Sequence, residues 1–199
     1  MSDKIKVLIL HGTGGDSEEN WFPWMKEKLE SSGNYEVYIP DLPNSDYPES
    51  EVWLGYLEKF KDKLGENSII IGHSLGCPAA WQFIEKNDLK IDRLFLVAPA
   101  FPKMNYDLIE KAFTDERQLE KVKNFTNKLV DWKSVQSSVN NITIFFSKDD
   151  PYIPFSTKEL CEKNLNASYK IYEDKKHFNV FNAGERMRQF PELLDEILG

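Results

Sequence analysis

Cysteine, histidine and long apolar segments are all scarce in this chain of 199 residues. The two cysteines, Cys77 and Cys161, are too few for a disulfide framework, so the sequence predicts a protein of the reducing cytoplasm. No apolar segment approaches the ~20 residues that a membrane-spanning helix needs. The opening residues, MSDKIK, also lack the pattern of a secretory signal peptide. These absences argue against a secreted or membrane protein.

Positive charge is also in short supply. The chain has 25 Lys and Arg against 33 Asp and Glu, which gives a formal net charge of −8. Such an acidic surface argues against nucleic acid or an anionic membrane as the main partner. No His/Cys cluster has the spacing of metal ligands, so neither a metal nor a cofactor is expected. A small-molecule substrate remains compatible with this composition.

The order of apolar segments predicts the fold class. Six short, continuously apolar segments alternate with amphipathic helical patterns, and this predicts an α/β fold with a parallel sheet covered on both faces. The predicted strands are 5–10, 35–39, 68–71, 92–98, 142–146 and 168–172. The predicted helices include 20–32, 52–64, 157–164 and 184–198. No repeat or linker interrupts the pattern, so residues 1–199 are expected to form a single domain.

The segment 102–138 differs from the rest because it is rich in charge and contains scattered aromatic residues between two core strands. We interpret it as a small helical cap over the strand ends. The alternative is an ordinary long crossover helix between those strands.

One motif points to nucleophilic chemistry. Residues 72–76 read GHSLG, a G-x-S-x-G directly after the isoleucines at 69–71 and directly before a helical pattern. This context indicates a sharp strand-to-helix turn that presents the Ser74 hydroxyl above the sheet, with small residues on both sides. The alternative is a plain Gly-Ser turn before a helix.

A serine nucleophile needs a base, and the chain offers only His11, His73 and His177. His73 lies inside the turn itself, and His11 ends the first predicted strand. His177 follows the last predicted strand, where it can face Ser74 from the other side of the site. We therefore predict that His177 is the general base.

The carboxylate that orients this base is expected at the end of a strand between the two. Asp149 and Asp150 directly follow the predicted strand 142–146. The resulting order Ser, Asp, His is the one expected for this kind of fold. The residues alone do not choose between the two aspartates, and an Asp-Asp-Pro sequence can also simply start a turn.

The glycine-rich loop HGTGGD at 11–16 has two interpretations. It could cradle a phosphate at the start of a helix, but it lacks both the dinucleotide fingerprint and the Lys-Ser/Thr of a P-loop. We favour half of an oxyanion hole, in which the Thr13 amide acts together with the Leu75 amide.

Taken together, these segments resemble a known family. The stretch from Val7 to Gly15, the GHSLG turn, the SKDDPYIP segment and His177-Phe178 are similar to the small single-domain α/β-hydrolases that include the retinoblastoma-binding serine hydrolase and its bacterial relatives. The similarity includes the W-x-x-W at Trp21 and Trp24. It implies an α/β-hydrolase fold and a triad of Ser74, Asp150 and His177, because the family's acid is the aspartate directly before the proline.

Two positions depart from the family pattern, since Phe146 and Lys176 stand where relatives often have glycine. The expected function is a serine hydrolase of esterase type, which cleaves a small acyl ester, thioester or activated amide through an acyl-enzyme. A non-catalytic interaction protein that keeps the hydrolase fold is the alternative. A flavodoxin-like nucleotide-binding domain that uses Gly12 to Gly15 is a third hypothesis.

Overall fold

A six-stranded sheet forms the centre of the protein. The computed structural model describes residues 4–101, 115–127 and 131–199. The strands are β1 Ile5–Leu10, β2 Tyr35–Tyr38, β3 Ile69–His73, β4 Ile91–Val97, β5 Val139–Ser147 and β6 Ser168–Tyr172. Their order in the sheet is β2-β1-β3-β4-β5-β6, and every neighbouring pair is parallel. The predicted parallel sheet of about six strands is thus confirmed.

The inner strands are apolar because both of their faces are covered. Every residue of β3 is buried, and so are the last four residues of β1. The edge strand β6 has no buried residue, and Ile171 on it is exposed. This contrast explains why the inner strands lack the alternation of apolar and polar residues found in strands with one wet face.

Eight α-helices surround the sheet in the described part of the chain. They are α1 Phe22–Ser31, α2 Ser50–Leu57, α3 Gly76–Asn87, α4 Glu116–Thr126, α5 Trp132–Ser138, α6 Ser156–Asn164, α7 Val180–Ala183 and α8 Pro191–Leu198. Helix α3 packs beside α2 and α5, whereas α1 packs beside α8, so two groups of helices cover the sheet. None of the helices in the described ranges combines the length and apolarity that crossing a bilayer requires.

The single helix predicted over 184–198 is wrong. The structure has a 3₁₀ helix at Glu185–Arg188, then two non-helical residues, then α8. Both Gln189 and Phe190 have φ near −136°, and Pro191 begins α8, where its missing N–H leaves no helical hydrogen bond unmade. Likewise, the helix predicted over 52–64 is an α-helix only to Leu57 and continues as a 3₁₀ helix at Glu58–Lys63.

The segment 102–138 lies partly outside the described residues, because 102–114 and 128–130 are not among them. Its remaining part contains α4 and α5. The Trp132 ring of α5 packs edge-on against Trp81 of α3. On α4, Phe125 packs against Trp53 near the start of α2. The cap over the strand ends therefore stays a prediction.

Candidate active site

The site lies where the order of the strands reverses. The chain runs outward in one direction from β1 to β2 and in the other direction from β3 to β6, so a crevice opens between the carboxyl ends of β1 and β3. The loop after β1 and the turn after β3 meet there. A Cβ atom placed on Gly12 would lie 2.8 Å from the Cβ of Ser74 and 3.2 Å from its Oγ. The glycine-rich loop and Ser74 are therefore in direct contact.

The turn that holds Ser74 is strained and depends on two glycines. Ser74 has φ of +55°, which non-glycine residues rarely adopt. A Cβ on Gly72 would lie 2.7 Å from the Gly76 carbonyl oxygen, and one on Gly76 would lie 2.2 Å from the Leu10 carbonyl oxygen. The Ser74 N–H donates to the Val97 carbonyl oxygen at 2.9 Å, which ties the turn to the end of β4.

Three side chains from different strand ends meet in one hydrogen-bonded chain. His177 Nε2 lies 2.9 Å from Ser74 Oγ, and His177 Nδ1 lies 2.9 Å and 3.1 Å from the two carboxylate oxygens of Asp150. With the Nδ1 proton donated to Asp150, Nε2 is free to accept the proton of the Ser74 hydroxyl. The structure thus brings together the serine, the histidine and one of the two aspartates that the sequence offered.

The structure separates the two aspartates that the residues alone left open. The Asp150 side chain is 2% exposed, and its Oδ1 also accepts the N–H groups of Tyr152 and Ile153 at 2.8 and 3.0 Å. Those donors supply the hydrogen bonds that a buried carboxylate needs. Asp149 instead accepts the Lys176 N–H at 2.9 Å. Asp150 is therefore the aspartate that contacts the imidazole.

Two further side chains fix the backbone around His177, and neither was assigned a role from the sequence. The Nε2–H of His73 donates to the carbonyl oxygen of His177 at 2.8 Å. The Nε1–H of Trp21 donates to the carbonyl oxygen of Phe178 at 3.1 Å. Both rings are buried. The W-x-x-W of the family pattern drew attention to Trp21, and the second tryptophan of that pattern, Trp24, is only partly buried.

His73 must stay neutral in the folded protein. Burial lowers its pKa to about 3, and the neighbouring His177 ring adds to this effect. We expect the free energy of unfolding to fall as the pH drops from 6.5 towards 3, because the unfolded chain then binds a proton that the folded protein excludes. Above pH 6.5 this contribution to stability is fully present. Its slope corresponds to about 1.4 kcal/mol per pH unit, and urea denaturation at several pH values measures it.

The variant His73→Gln provides the comparison. Glutamine does not titrate, and its amide can still donate to the His177 carbonyl oxygen. Between about pH 6 and pH 4, we expect the free energy of unfolding to fall less steeply in this variant than in the wild type. The two slopes should differ by up to about 1.4 kcal/mol per pH unit, which corresponds to one proton. If the free energy of unfolding falls equally with pH in both proteins, His73 is not the group that causes this pH dependence.

His11 organises the glycine-rich loop. Its Nδ1–H donates to the Gly12 carbonyl oxygen at 2.8 Å, and its Nε2 accepts the Leu42 N–H at 2.9 Å. Burial lowers the pKa of His11, which favours the neutral ring that these two bonds require. His11 thus links the loop after β1 to the loop after β2. Neither of these two ring hydrogen bonds involves the Ser74 hydroxyl.

The backbone N–H groups near Ser74 differ in whether they have an acceptor. Gly14 N–H donates to Ser45, and Gly15 N–H donates to the Gly12 carbonyl oxygen. Among residues 4–101, 115–127 and 131–199, the Thr13 and Leu75 N–H groups have no hydrogen-bond acceptor. These two amides flank the crevice at the end of β1 and at the start of α3.

Other reactive groups are placed differently. The buried thiol of Cys77 donates to the carbonyl oxygen of Gly72 at 3.1 Å, and burial raises its pKa well above the usual value. This makes it a packing residue rather than a nucleophile. Within the part of the chain that the structure describes, no group of three or more His, Cys, Asp or Glu side chains is arranged to hold a metal ion.

A parallel sheet with a serine on a sharp turn after β3, and with an aspartate and a histidine after β5 and β6, defines the α/β-hydrolase class. Solved structures agree with this assignment. The ydeN gene product of Bacillus subtilis superposes with a TM-score of 0.83 at 29% identity, covering 98% of this chain and 97% of that one. MGS-MChE2, an α/β-hydrolase enzyme from a sediment metagenome of the Mar Chica lagoon in Morocco, superposes with a TM-score of 0.68 at 22% identity, covering 98% and 91%.

Sequence comparison narrows the class to a family. The sequence profile of the family described as "Serine hydrolase" matches residues 7–196. In sequence, YdeN of B. subtilis strain 168 is 31% identical over 193 residues, which cover 96% of this chain and 93% of YdeN. Serine hydrolase RBBP9 of Rattus norvegicus is 24% identical over 202 residues, covering the whole of both chains. The chain belongs to the serine hydrolase family and is a hydrolytic enzyme.

Proposed function

We propose that this enzyme is a serine esterase that cleaves a small acyl ester, thioester or activated amide through an acyl-enzyme. The observation that carries the proposal is the part-buried chain of hydrogen bonds from Asp150 through His177 to the Ser74 hydroxyl. A serine is a weak nucleophile on its own, and this arrangement supplies the acceptor for its proton.

In the proposed mechanism, Ser74 attacks the acyl carbon while His177 Nε2 takes the hydroxyl proton. Asp150 holds the ring so that Nδ1 keeps its proton, and its negative charge stabilises the imidazolium that forms. His177 then gives the proton to the leaving group, which departs as an alcohol, thiol or amine. Water repeats the sequence on the acyl-enzyme and releases the acid, which regenerates Ser74.

The developing oxyanion is proposed to bind the amides of Thr13 and Leu75. Both N–H groups lack an acceptor among the described residues, whereas the amides of Gly14 and Gly15 are engaged elsewhere. Leu75 also directly precedes α3, whose amino-terminal dipole favours negative charge. Each donor of this kind is typically worth about 3 kcal/mol of transition-state stabilisation.

Labelling with a fluorophosphonate probe tests the proposal, because such probes react with activated serines. We expect wild-type protein to be labelled and to hydrolyse p-nitrophenyl esters of some chain length. The variant Ser74→Ala should lose both properties, since it lacks the hydroxyl that is proposed to form the acyl-enzyme. Circular dichroism of both proteins checks that the fold is unchanged.

The matched control is Ser31→Ala, which removes an exposed serine at the end of α1. It should be labelled and active like the wild type. Equal labelling of wild type and Ser74→Ala would contradict the assignment of the nucleophile. A folded wild type that neither reacts with the probe nor turns over any ester would instead favour the interaction protein considered above.

We also propose that the enzyme works in the cytoplasm on small molecules, without nucleic acid or membrane as a partner. Both cysteines are free and buried, as suits a reducing compartment. The formal net charge of −8 disfavours polyanionic partners.

A further inference from the structure

The loop that presents His177 has an unusual backbone. We call residues 175–178 the base loop. Within it, Lys176 and Phe178 both have φ of +52°, so two residues with side chains adopt the left-handed conformation on either side of the histidine. This conformation is unfavourable for residues that have a Cβ atom. The base loop therefore needs contacts from elsewhere to keep this shape.

The end of β5 supplies such contacts from the side of Asp150. Asp149 Oδ1 accepts the Lys176 N–H at 2.9 Å and the Ser147 hydroxyl at 2.6 Å. Ser147 Oγ in turn accepts the Lys175 N–H at 3.0 Å. Two successive backbone amides directly before His177 are thus held by two side chains at the end of one strand. The same strand end supplies Asp150, which contacts the imidazole itself.

Asp149 is ionised under neutral conditions. Burial opposes its charge, but the hydrogen bonds from Ser147 and Lys176 outweigh burial and lower its pKa. The Lys176 ammonium also lies 3.1 Å from Asp149 Oδ2, but its side chain is 45% exposed. Ion pairs this exposed contribute little because water screens them. The backbone hydrogen bond is therefore the part of this contact that restrains the base loop.

We propose that Asp149 is a positioning residue for the general base. It fixes the Lys176 amide, and through it the place of the His177 ring, so that Nε2 stays within reach of Ser74 Oγ. This inference rests on the proposed function. The two aspartates would then have different roles. Asp150 sets the tautomer and orientation of the His177 ring, and Asp149 sets the position of the backbone that holds the ring.

The test compares Asp149→Ala with Asp149→Asn and Lys176→Met. Asp149→Ala removes the acceptor and should lower kcat by about 10- to 100-fold, because an error of about 1 Å in a catalytic group has a cost of this size. KM should change by less than about two-fold, since no substrate contact is lost. Asp149→Asn keeps an acceptor for the Lys176 N–H and should recover most of kcat.

Lys176→Met is the matched control, because it removes the ion pair and keeps the backbone amide. It should retain the kcat of the wild type. A second readout does not depend on turnover. In ¹⁵N-labelled protein, the Nδ1 proton of His177 should be visible in the wild type and in Asp149→Asn, and it should be lost to exchange in Asp149→Ala.

The outcomes separate this inference from the proposed function. Normal wild-type turnover with an unchanged Asp149→Ala would overturn the inference and leave the function intact. Equal losses in Asp149→Asn and Asp149→Ala would also overturn it, because charge rather than the hydrogen bond would then matter. Wild-type protein without hydrolysis would contradict the function, and the His177 proton signal would still test the positioning. If Asp149→Ala does not fold, Ser147→Ala should show the same signature more weakly.

Discussion

Replacing His177 by glutamine should lower kcat/KM for a p-nitrophenyl ester by about 10⁴- to 10⁶-fold, the range seen when a member of a serine triad is removed. Glutamine is close in size and its amide oxygen can accept a hydrogen bond, but neither amide atom is basic enough to take the proton of the Ser74 hydroxyl, as the imidazole nitrogen 2.9 Å away can. Fluorophosphonate labelling should slow to a similar degree, because that reaction also needs the serine proton to be removed.

The control for this experiment is Lys176→Met, which changes the side chain next to His177 and leaves the imidazole in place. It should keep wild-type activity. Asp150→Asn should also lose activity, because an asparagine in place of the carboxylate favours the wrong tautomer of the ring. If His177→Gln keeps more than about a tenth of the wild-type kcat/KM, another group must act as the base and the proposed mechanism is wrong.

The variant Gly76→Ala should destabilise the protein by about 4 kcal/mol or more, which is exceptional for a single substitution. Its Cβ would lie 2.2 Å from the carbonyl oxygen of Leu10, and backbone atoms on both sides of that contact cannot move aside like a flexible side chain. Relief would require α3 to shift away from β1, which disturbs the packing of the core and the turn at Ser74. Urea denaturation followed by circular dichroism gives the free energy of unfolding.

Gly55→Ala is the matched control, since Gly55 lies within α2 and a Cβ there meets nothing within 4 Å. In a helix, alanine is favoured over glycine by about 0.5–1 kcal/mol, so this variant should be slightly more stable than the wild type. A Gly76→Ala protein within about 1 kcal/mol of the wild type would show that β1 and α3 can separate at small cost.

The sheet could be predicted because burial on both faces leaves a clear mark in the sequence. Ile69 to Ile71 and the segment around Leu94 to Val97 have no room for polar side chains, so their apolar runs indicate strands. Boundaries were harder to predict. β5 begins at Val139, three residues before the predicted start, because Val139 and Asn141 pair with β4. Exposed asparagines give no apolar signal, so only the neighbouring strand reveals their conformation.

The candidate site was predictable where few residues could fill a role. With three histidines in the chain, the candidate base could be chosen almost by elimination, and the candidate serine lies in a motif. The hydrogen bonds that fix the backbone around His177 were not predictable, because they join side chains to backbone groups that are distant in the sequence. His73 contacts the carbonyl group of a residue 104 positions away, and Trp21 contacts one 157 positions away. Only the folded sheet brings such groups together.

The base loop shows another limit of sequence interpretation. Lys176 stands where the family pattern described above implies glycine, and its φ of +52° is one that glycine adopts more readily. A lysine at this position does not indicate a positive φ, because the local sequence is equally compatible with an ordinary turn. The bond from its amide to Asp149 is part of what holds it in place.

The wide spacing of Ser74 and His177 has a consequence for biosynthesis. His177 follows Ser74 by 103 residues, and its position depends on β5 and β6, the last two strands to leave the ribosome. In the mechanism we propose, a nascent chain already contains its nucleophile long before it has a base. Such a chain, or a fragment that ends before residue 177, would be unable to form an acyl-enzyme with cellular acyl compounds. Hydrolysis would therefore begin only once nearly the entire polypeptide has been translated and folded.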